Sequence, residues 1–352
     1  MRIPEKILII RFSSLGDIVL ASPLLRALRN TFPRAQIDFL VKSEYADLVR
    51  YSPHVSSVIE LRSSDKEELH QLKDRIRAER YDTILDIHNS LRSRYLRMFA
   101  HARRVYAVDK RVVSRFALVN LKQNFYKEVI SVAERYLEAA FPLGILRDDA
   151  GLEIFIPDEI TSTVNAMMTK YKLERYGVVI GVVPTARHFT KRWPPERFRE
   201  FGIRMSKEQR AKLFLFGSAE EVDYCGDIAQ MINAEAASSA AESLAGRISM
   251  LETAAVLDHC SIVVTNDSGI MHLAASRRKK VVAIFGSTVK EFGFFPYKTP
   301  HIVIERQGLP CRPCSHIGQN QCPEGHFRCM KDITVEDVVS AVQTMLIEQN
   351  GS

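Results

Sequence analysis

Continuous apolar runs alternate along the chain with stretches of helical spacing, and this alternation is the strongest signal in the sequence. Ile7-Leu8-Ile9-Ile10 is an unbroken apolar run, as expected of a strand buried on both faces of a parallel sheet. Ile18, Leu20, Leu24, Leu25 and Leu28 follow at roughly helical spacing, and Pro23 is expected to kink that helix or mark a late start. Further strands are expected at 37–41, 55–61, 83–87 and 105–108, with a charged helix over 65–80. A polar break at 151–160, containing Pro157, separates this series from a second one that begins with a helix over about 159–173. Strands of the second series are expected at 178–183, 213–216, 262–265 and 281–285. Each is closed by turn residues: Pro184-Thr185, Gly217-Ser218, Asp267-Ser268-Gly269 and Gly286-Ser287. Thr334-Val335-Glu336-Asp337 has the form of a capping box and opens a last helix to about residue 348.

Such a pattern predicts an α/β protein with two doubly wound parallel sheets. The expected domains are 1–157, 158–330 and a C-terminal helix over 331–352. Loops at the carboxyl ends of two such sheets imply a ligand cleft between the domains.

Composition narrows the partner. The chain has 352 residues, 46% of them hydrophobic, enough for two ordinary cores. No apolar run approaches the ~18–20 residues of a membrane span. The start, Met1-Arg2-Ile3-Pro4-Glu5-Lys6, lacks the apolar core of a signal peptide, so a cytoplasmic protein is expected. A net charge of +7 favours a polyanionic partner. Between Arg92 and Arg115 stand eight Lys or Arg (including Arg92 and Arg94) against one acid, Asp109. A solvated helix face accounts for such a run, as does an anion-binding surface. Few aromatics interleave it and no nucleic-acid motif accompanies it, so nucleic acid is not the expected partner.

Four stretches carry candidate chemistry. In Ile262-Val263-Val264-Thr265-Asn266-Asp267-Ser268-Gly269-Ile270-Met271-His272 a buried strand runs through a tight turn into a helix. Free N–H groups and a partial positive charge at such a helix start suit a phosphate, although Asp and Ser are also ordinary helix caps. Asp17, beside Ser13, Ser14 and Gly16, is either a cap or a carboxylate aimed into the cleft as a general base. Thr185 to Pro195 crowds Arg187, His188, Lys191 and Arg192 onto one loop, where cations can neutralise a departing diphosphate. Cys311, Cys314, Cys322 and Cys329 cluster with His316 and His326 nearby. The opening Cys-x2-Cys is a metal-ligand spacing and the later spacing matches no standard ribbon, so both a structural zinc or iron site and idle thiols remain open.

Taken together, several of these stretches resemble the ADP-heptose:lipopolysaccharide heptosyltransferases, glycosyltransferase family 9. They are Ile10-Arg11-Phe12-Ser13-Ser14-Leu15-Gly16-Asp17-Ile18-Val19 with Pro23-Leu24-Leu25, Lys191-Arg192-Trp193-Pro194 with Phe198, Phe216-Gly217-Ser218-Ala219-Glu220-Glu221, Leu244-Ala245-Gly246, and Thr265 to Ala275. The last block is the most specific and resembles the enzymes that add the second heptose of the core more than those that add the first. The resemblance implies a GT-B fold, two Rossmann-like domains around a cleft, with the last helix crossing back to the first. It implies inverting transfer from ADP-L-glycero-D-manno-heptose, with no cofactor or metal required for chemistry. Asp17 is implied as the base and Lys191 as the diphosphate ligand, with Glu221 on the ribose and Leu251 against adenine. Thr185, Asp267, Ser268, Gly269 and His272 are implied to line the diphosphate and sugar. Ser13, Ser14, Gly16, Arg92 and Arg94 fall on the acceptor side, facing Kdo-lipid A or heptosyl-Kdo-lipid A at the cytoplasmic face of the inner membrane. With base and donor ligands on different domains, closure is expected to assemble the site.

The chain departs from the family in two places. Pro184-Thr185-Ala186 stands where a Pro-Gly-Ala turn is usual, and the cysteine spacing differs from that of the iron-binding branch that glycosylates autotransporters. Two other readings compete: a GT-B enzyme or epimerase using another nucleotide sugar, and a non-enzymatic metal- or anion-binding module.

Overall fold

In the computed structural model, residues 3–63, 65–236 and 239–347 are described. The chain divides into two compact units: Met1–Val112 with Ile130–Phe155, and Val113–Val129 with Ile156–Ser352.

The first unit holds a five-stranded sheet, β1 Lys6–Ile10, β2 Gln36–Lys42, β3 Ser57–Leu61, β4 Thr83–Asp86 and β5 Arg104–Ala107. The order is β3-β2-β1-β4-β5 and every pairing is parallel. Ile7 to Ile10 are fully buried, as their unbroken apolar run requires. Leu8, Ile10, Leu40, Ile59 and Ile84 pack with Leu72 and Ile76 of the helix Lys66–Glu79. Pro23 does not kink a long helix. A short helix Leu15–Val19 ends first, and Pro23 lies in the opening turn of a separate helix, Ser22–Thr31, where its missing N–H costs nothing.

The second unit holds six strands, β6 Val178–Val183, β7 Ala211–Leu215, β8 Ala241–Ser243, β9 Ile262–Asn266, β10 Lys280–Phe285 and β11 His301–Glu305. Their order is β11-β10-β9-β6-β7-β8, again all parallel. Two of these strands were not expected: β8 has only three residues, and β11 is half-buried along its length. The last helix is Val335–Ile347, and residue 348, where it was expected to end, lies outside the described residues. Its Val335, Val338, Val339, Val342 and Met345 join the core of the second sheet beside Phe201, Met205, Val264 and Val282. Trp193 is fully buried in that core, its indole N–H donating to Ile333 O at 3.1 Å.

Strand order reverses once in each sheet, between β1 and β4 and between β6 and β9. At such a reversal the connecting loops diverge to opposite faces and leave a crevice at the carboxyl ends of the strands. Asp17 follows β1 beside the first reversal, and Thr185, Lys191, Asp267 and Ser268 follow β6 and β9 beside the second, whereas Glu221 follows β7 and Leu251 follows β8. No described helix is long and apolar enough to cross a membrane.

Candidate active site

At the reversal in the first sheet, Arg11 follows β1 and Ile87 follows β4. Arg11 bridges the crevice, donating from Nη1 to Ile87 O at 2.9 Å. Its Nη2 lies 2.6 Å from Asp17 Oδ1. Tyr136, on the helix Val132–Ala140, donates its hydroxyl to the same oxygen at 3.1 Å. Asp17 Oδ2 accepts from the backbone N–H of Ser14 at 3.3 Å and from its hydroxyl at 3.2 Å. Asp17 is therefore both a helix-end acceptor for the preceding amide and half of an ion pair. Burial by itself raises its carboxyl pKa; the Arg11 charge and the hydrogen bonds from Ser14, Arg11 and Tyr136 outweigh this and hold it below the ordinary value.

Cations gather beside it. His88, just past β4, is pushed down to about 3, first by burial and then by the charges of Arg11, Lys110 and Arg92. It is neutral across the physiological range. Arg92 and Arg94 sit on the helix Leu91–Met98, which starts at Ser90 directly after this turn, and Arg94 Nε donates to Asn89 Oδ1 at 3.1 Å. Ser13 is partly exposed, and Gly16 is buried within the first short helix.

At the second reversal, Pro184 to Ala186 leave β6 and Asp267 to Gly269 leave β9. Asn266, fully buried, ties the two: its Oδ1 accepts from Trp193 N–H at 3.0 Å, and its Nδ2 reaches Val183 O at 3.4 Å and Thr185 O at 3.5 Å. Lys191 Nζ lies 2.7 Å from Asp267 Oδ2, and Thr288 donates to that oxygen at 2.7 Å. Ser268 stands at the N-terminal boundary of the helix Gly269–Ser276 without a side-chain capping bond, and its hydroxyl lies 3.1 Å from Thr265 Oγ1. The first N–H groups of that helix face the carboxyl end of the sheet. His272 is buried one turn on, its ring 6.4 Å from that of Phe294. Glu221 pairs with Arg192 at 3.1 Å and accepts from Ser218 N–H at 2.9 Å. Leu251, at the start of the helix Met250–Asp258, is only 3% exposed.

The cysteine segment braces this half from behind. Thr190 N–H donates to Gln319 O at 3.1 Å, and Gln319 N–H donates to Thr190 Oγ1 at 2.8 Å. Arg312 donates to Thr288 O at 2.8 Å, and Lys122 donates to Cys311 O at 3.0 Å and Pro313 O at 2.7 Å. Cys311 Sγ lies 3.9 Å from His326 Nε2. Burial, then the neighbouring thiols Cys311 and Cys322, push Cys314 up to about 11, and burial carries Cys329 up to about 12. Among the described residues no three His, Cys, Asp or Glu meet as a group that could hold a metal ion. The segment is tied to the Lys191 loop through its backbone, at Gln319.

Sequence reasoning missed Arg11, Tyr136, Asn266 and Thr288. Arg11 and Asn266 adjoin residues it singled out. Tyr136 is brought to Asp17 only by the fold.

Two all-parallel α/β sheets, each with a polar constellation at its strand-order reversal, make the fold of the GT-B class. The chain belongs to glycosyltransferase family 9 (heptosyltransferase), whose model matches residues 69–325. Lipopolysaccharide heptosyltransferase 2 of Escherichia coli K12 is 26% identical over 357 aligned positions, covering 98% of this chain and 100% of that protein. Among solved structures, a family 9 glycosyl transferase from Veillonella parvula superposes with a TM-score of 0.79 at 20% identity, covering 98% and 97% of the two chains. The E. coli ADP-heptose lipopolysaccharide heptosyltransferase II gives 0.75 at 24% identity, covering 98% and 100%.

Proposed function

We propose that this protein transfers heptose, with inversion, from ADP-L-glycero-D-manno-heptose to the inner core of a lipopolysaccharide precursor. Membership of family 9 carries the proposal, supported by a half-buried carboxylate at one crevice and a cation with helix N–H groups at the other. The acceptor hydroxyl oxygen attacks the anomeric carbon as the bond to the diphosphate oxygen breaks, and its proton passes to Asp17. ADP departs with the bonding pair. Lys191 and the N-terminal amides of the helix Gly269–Ser276 stabilise the charge that collects on it.

The hydrogen bonds refine the individual roles. Asp267 is like-charged to a diphosphate, so it serves by orienting Lys191, and Thr288 orients Asp267 in turn. Glu221, fixed by Arg192 and Ser218, has the geometry to accept from ribose hydroxyls, with Thr185, Ser268 and His272 around the phosphates and sugar and Leu251 behind the adenine. Ser13, Ser14, Gly16, Arg92 and Arg94 meet the acceptor, whose phosphates and acidic sugars suit the cations around His88. No step uses a metal or a further cofactor. Because the acceptor is lipid-linked, the enzyme works at the cytoplasmic face of the inner membrane, where a net charge of +7 favours peripheral contact. The E. coli relative is named heptosyltransferase 2, which supports heptosyl-Kdo-lipid A over Kdo-lipid A as acceptor.

A mass-spectrometric transfer assay with both acceptors and a panel of nucleotide sugars tests this. The expected result is one added heptose from ADP-heptose; transfer from a UDP-sugar alone would replace the reading. A second expectation concerns the brace. Gly318 has φ +103°, and a Cβ there would lie 2.6 Å from the His188 Cβ on the loop that carries Lys191. Gly318→Ala is expected to cost roughly 1–3 kcal/mol of stability and to weaken ADP binding. Thermal melts with and without ADP measure both.

A further inference from the structure

We infer that the two oxygens of Asp17 have separate tasks: Oδ1 is an anchor fixed by Arg11 and Tyr136, Oδ2 takes the acceptor proton, and Arg11 and Tyr136 are positioning residues for the base. The inference rests on the reading of Asp17 as that base.

A carboxylate offers about four lone-pair directions. Here Oδ1 accepts from Arg11 at 2.6 Å and Tyr136 at 3.1 Å, and Oδ2 accepts from the Ser14 amide at 3.3 Å and the Ser14 hydroxyl at 3.2 Å. All four directions are filled, so the base can receive a substrate hydroxyl only when one donor leaves. The donors on Oδ1 are fixed. Arg11 is also tied to Ile87 O at 2.9 Å, its guanidinium carbon lies 5.6 Å from the Tyr136 ring centroid, and Tyr136 is 2% exposed. On Oδ2 the Ser14 amide belongs to the backbone, but the Ser14 hydroxyl swings away by rotation about a single bond. Asp17 keeps 16% of its side chain exposed, so a substrate can reach it. The acceptor hydroxyl therefore takes the place of the Ser14 hydroxyl on Oδ2. As the new C–O bond forms and ADP leaves, the proton moves from the acceptor oxygen to Oδ2 while Oδ1 stays anchored.

An anchored carboxylate keeps its attacking geometry, which is lost when the side chain can turn. The same contacts set the pH range. Arg11 after β1, Tyr136 on the helix Val132–Ala140 and His88 past the end of β4 interact with Asp17, while Asp86 acts on Arg11 and Arg135 on Tyr136. Donors to the ionised form favour ionisation, so removing one raises the pKa of Asp17 and moves the acid limb of kcat/KM to higher pH.

Tyr136→Phe removes one hydroxyl and keeps the ring. It is expected to lower kcat on the order of tenfold, leave both KM values and ADP affinity near wild type, and raise the acid limb. Arg11→Lys keeps the charge but cannot hold both Asp17 and Ile87, and is expected to do the same. It serves if Tyr136→Phe fails to fold. A purely structural role would instead lower the melting temperature with the limb unmoved, and that result, or full kcat in both variants, overturns the inference. Asp17→Asn separates the two claims: retained turnover removes the base, whereas an inactive Asp17→Asn with an unmoved Tyr136→Phe profile removes only the anchor.

Discussion

Asp17→Asn is expected to lower kcat by about 10²- to 10⁴-fold, the usual contribution of a positioned base, while ADP binds as in the wild type. The amide has nearly the volume of the carboxylate but cannot take a proton. ADP affinity is expected to be spared because the ligands proposed for it belong to the other unit. The substitution also has a cost in stability, since it strips Arg11, whose side chain is 12% exposed, of its counter-charge. That cost has a definite pH dependence. A carboxyl held below its ordinary pKa contributes stability that is complete above the unfolded-state pKa and is lost as pH falls through the folded-state value. The difference in melting temperature between wild type and Asp17→Asn should therefore be full at neutral pH and shrink in acid. Steady-state kinetics, ADP calorimetry and melts across pH check the three parts, and undiminished kcat removes Asp17 as base.

Lys191→Met is the second large effect. Losing the cation opposite a departing diphosphate is expected to lower kcat by about 10²- to 10³-fold and to weaken ADP binding. It also leaves Asp267, 6% exposed, without the cation 2.7 Å away, a loss on the order of 3 kcal/mol for a buried pair broken on one side. Adding Asp267→Asn should restore most of the stability and none of the activity, because the double variant no longer buries a lone charge. If the double variant melts no higher than Lys191→Met, the pair is not what holds this turn. If Lys191→Met turns over normally, the diphosphate is held elsewhere.

Long apolar runs were legible because a strand buried on both faces needs no partner to be recognised: Ile7 to Ile10 and Ile262 to Thr265 stand where their composition puts them. Too short to show a period, β8 escaped notice, and β11 is half-buried, so it lacks the unbroken apolar run of its neighbours. In the candidate site, residues close in sequence were legible as a group, such as Asp267 with Ser268 and Gly269. The pairings that set their chemistry were not. Tyr136 reaches Asp17 across 119 residues, and Thr288 reaches Asp267 across 21, and no local pattern encodes either contact. The cysteine spacing left both a metal and idle thiols open, and no local pattern announced that the segment's backbone would pair with Thr190.

The path of the chain bears on how family members can be recombined. It leaves the first unit after Val112, returns at Ile130 and leaves again after Phe155. A chimera joined after residue 157, the boundary expected from the sequence, would take residues 113–129 from one parent and their partners from the other. Lys122 would then meet a foreign Cys311–Pro313 turn, and Asn124, which donates to Glu291 at 3.2 Å, a foreign loop. A chimera in which residues 113–129 travel with the C-terminal half keeps these contacts within one parent.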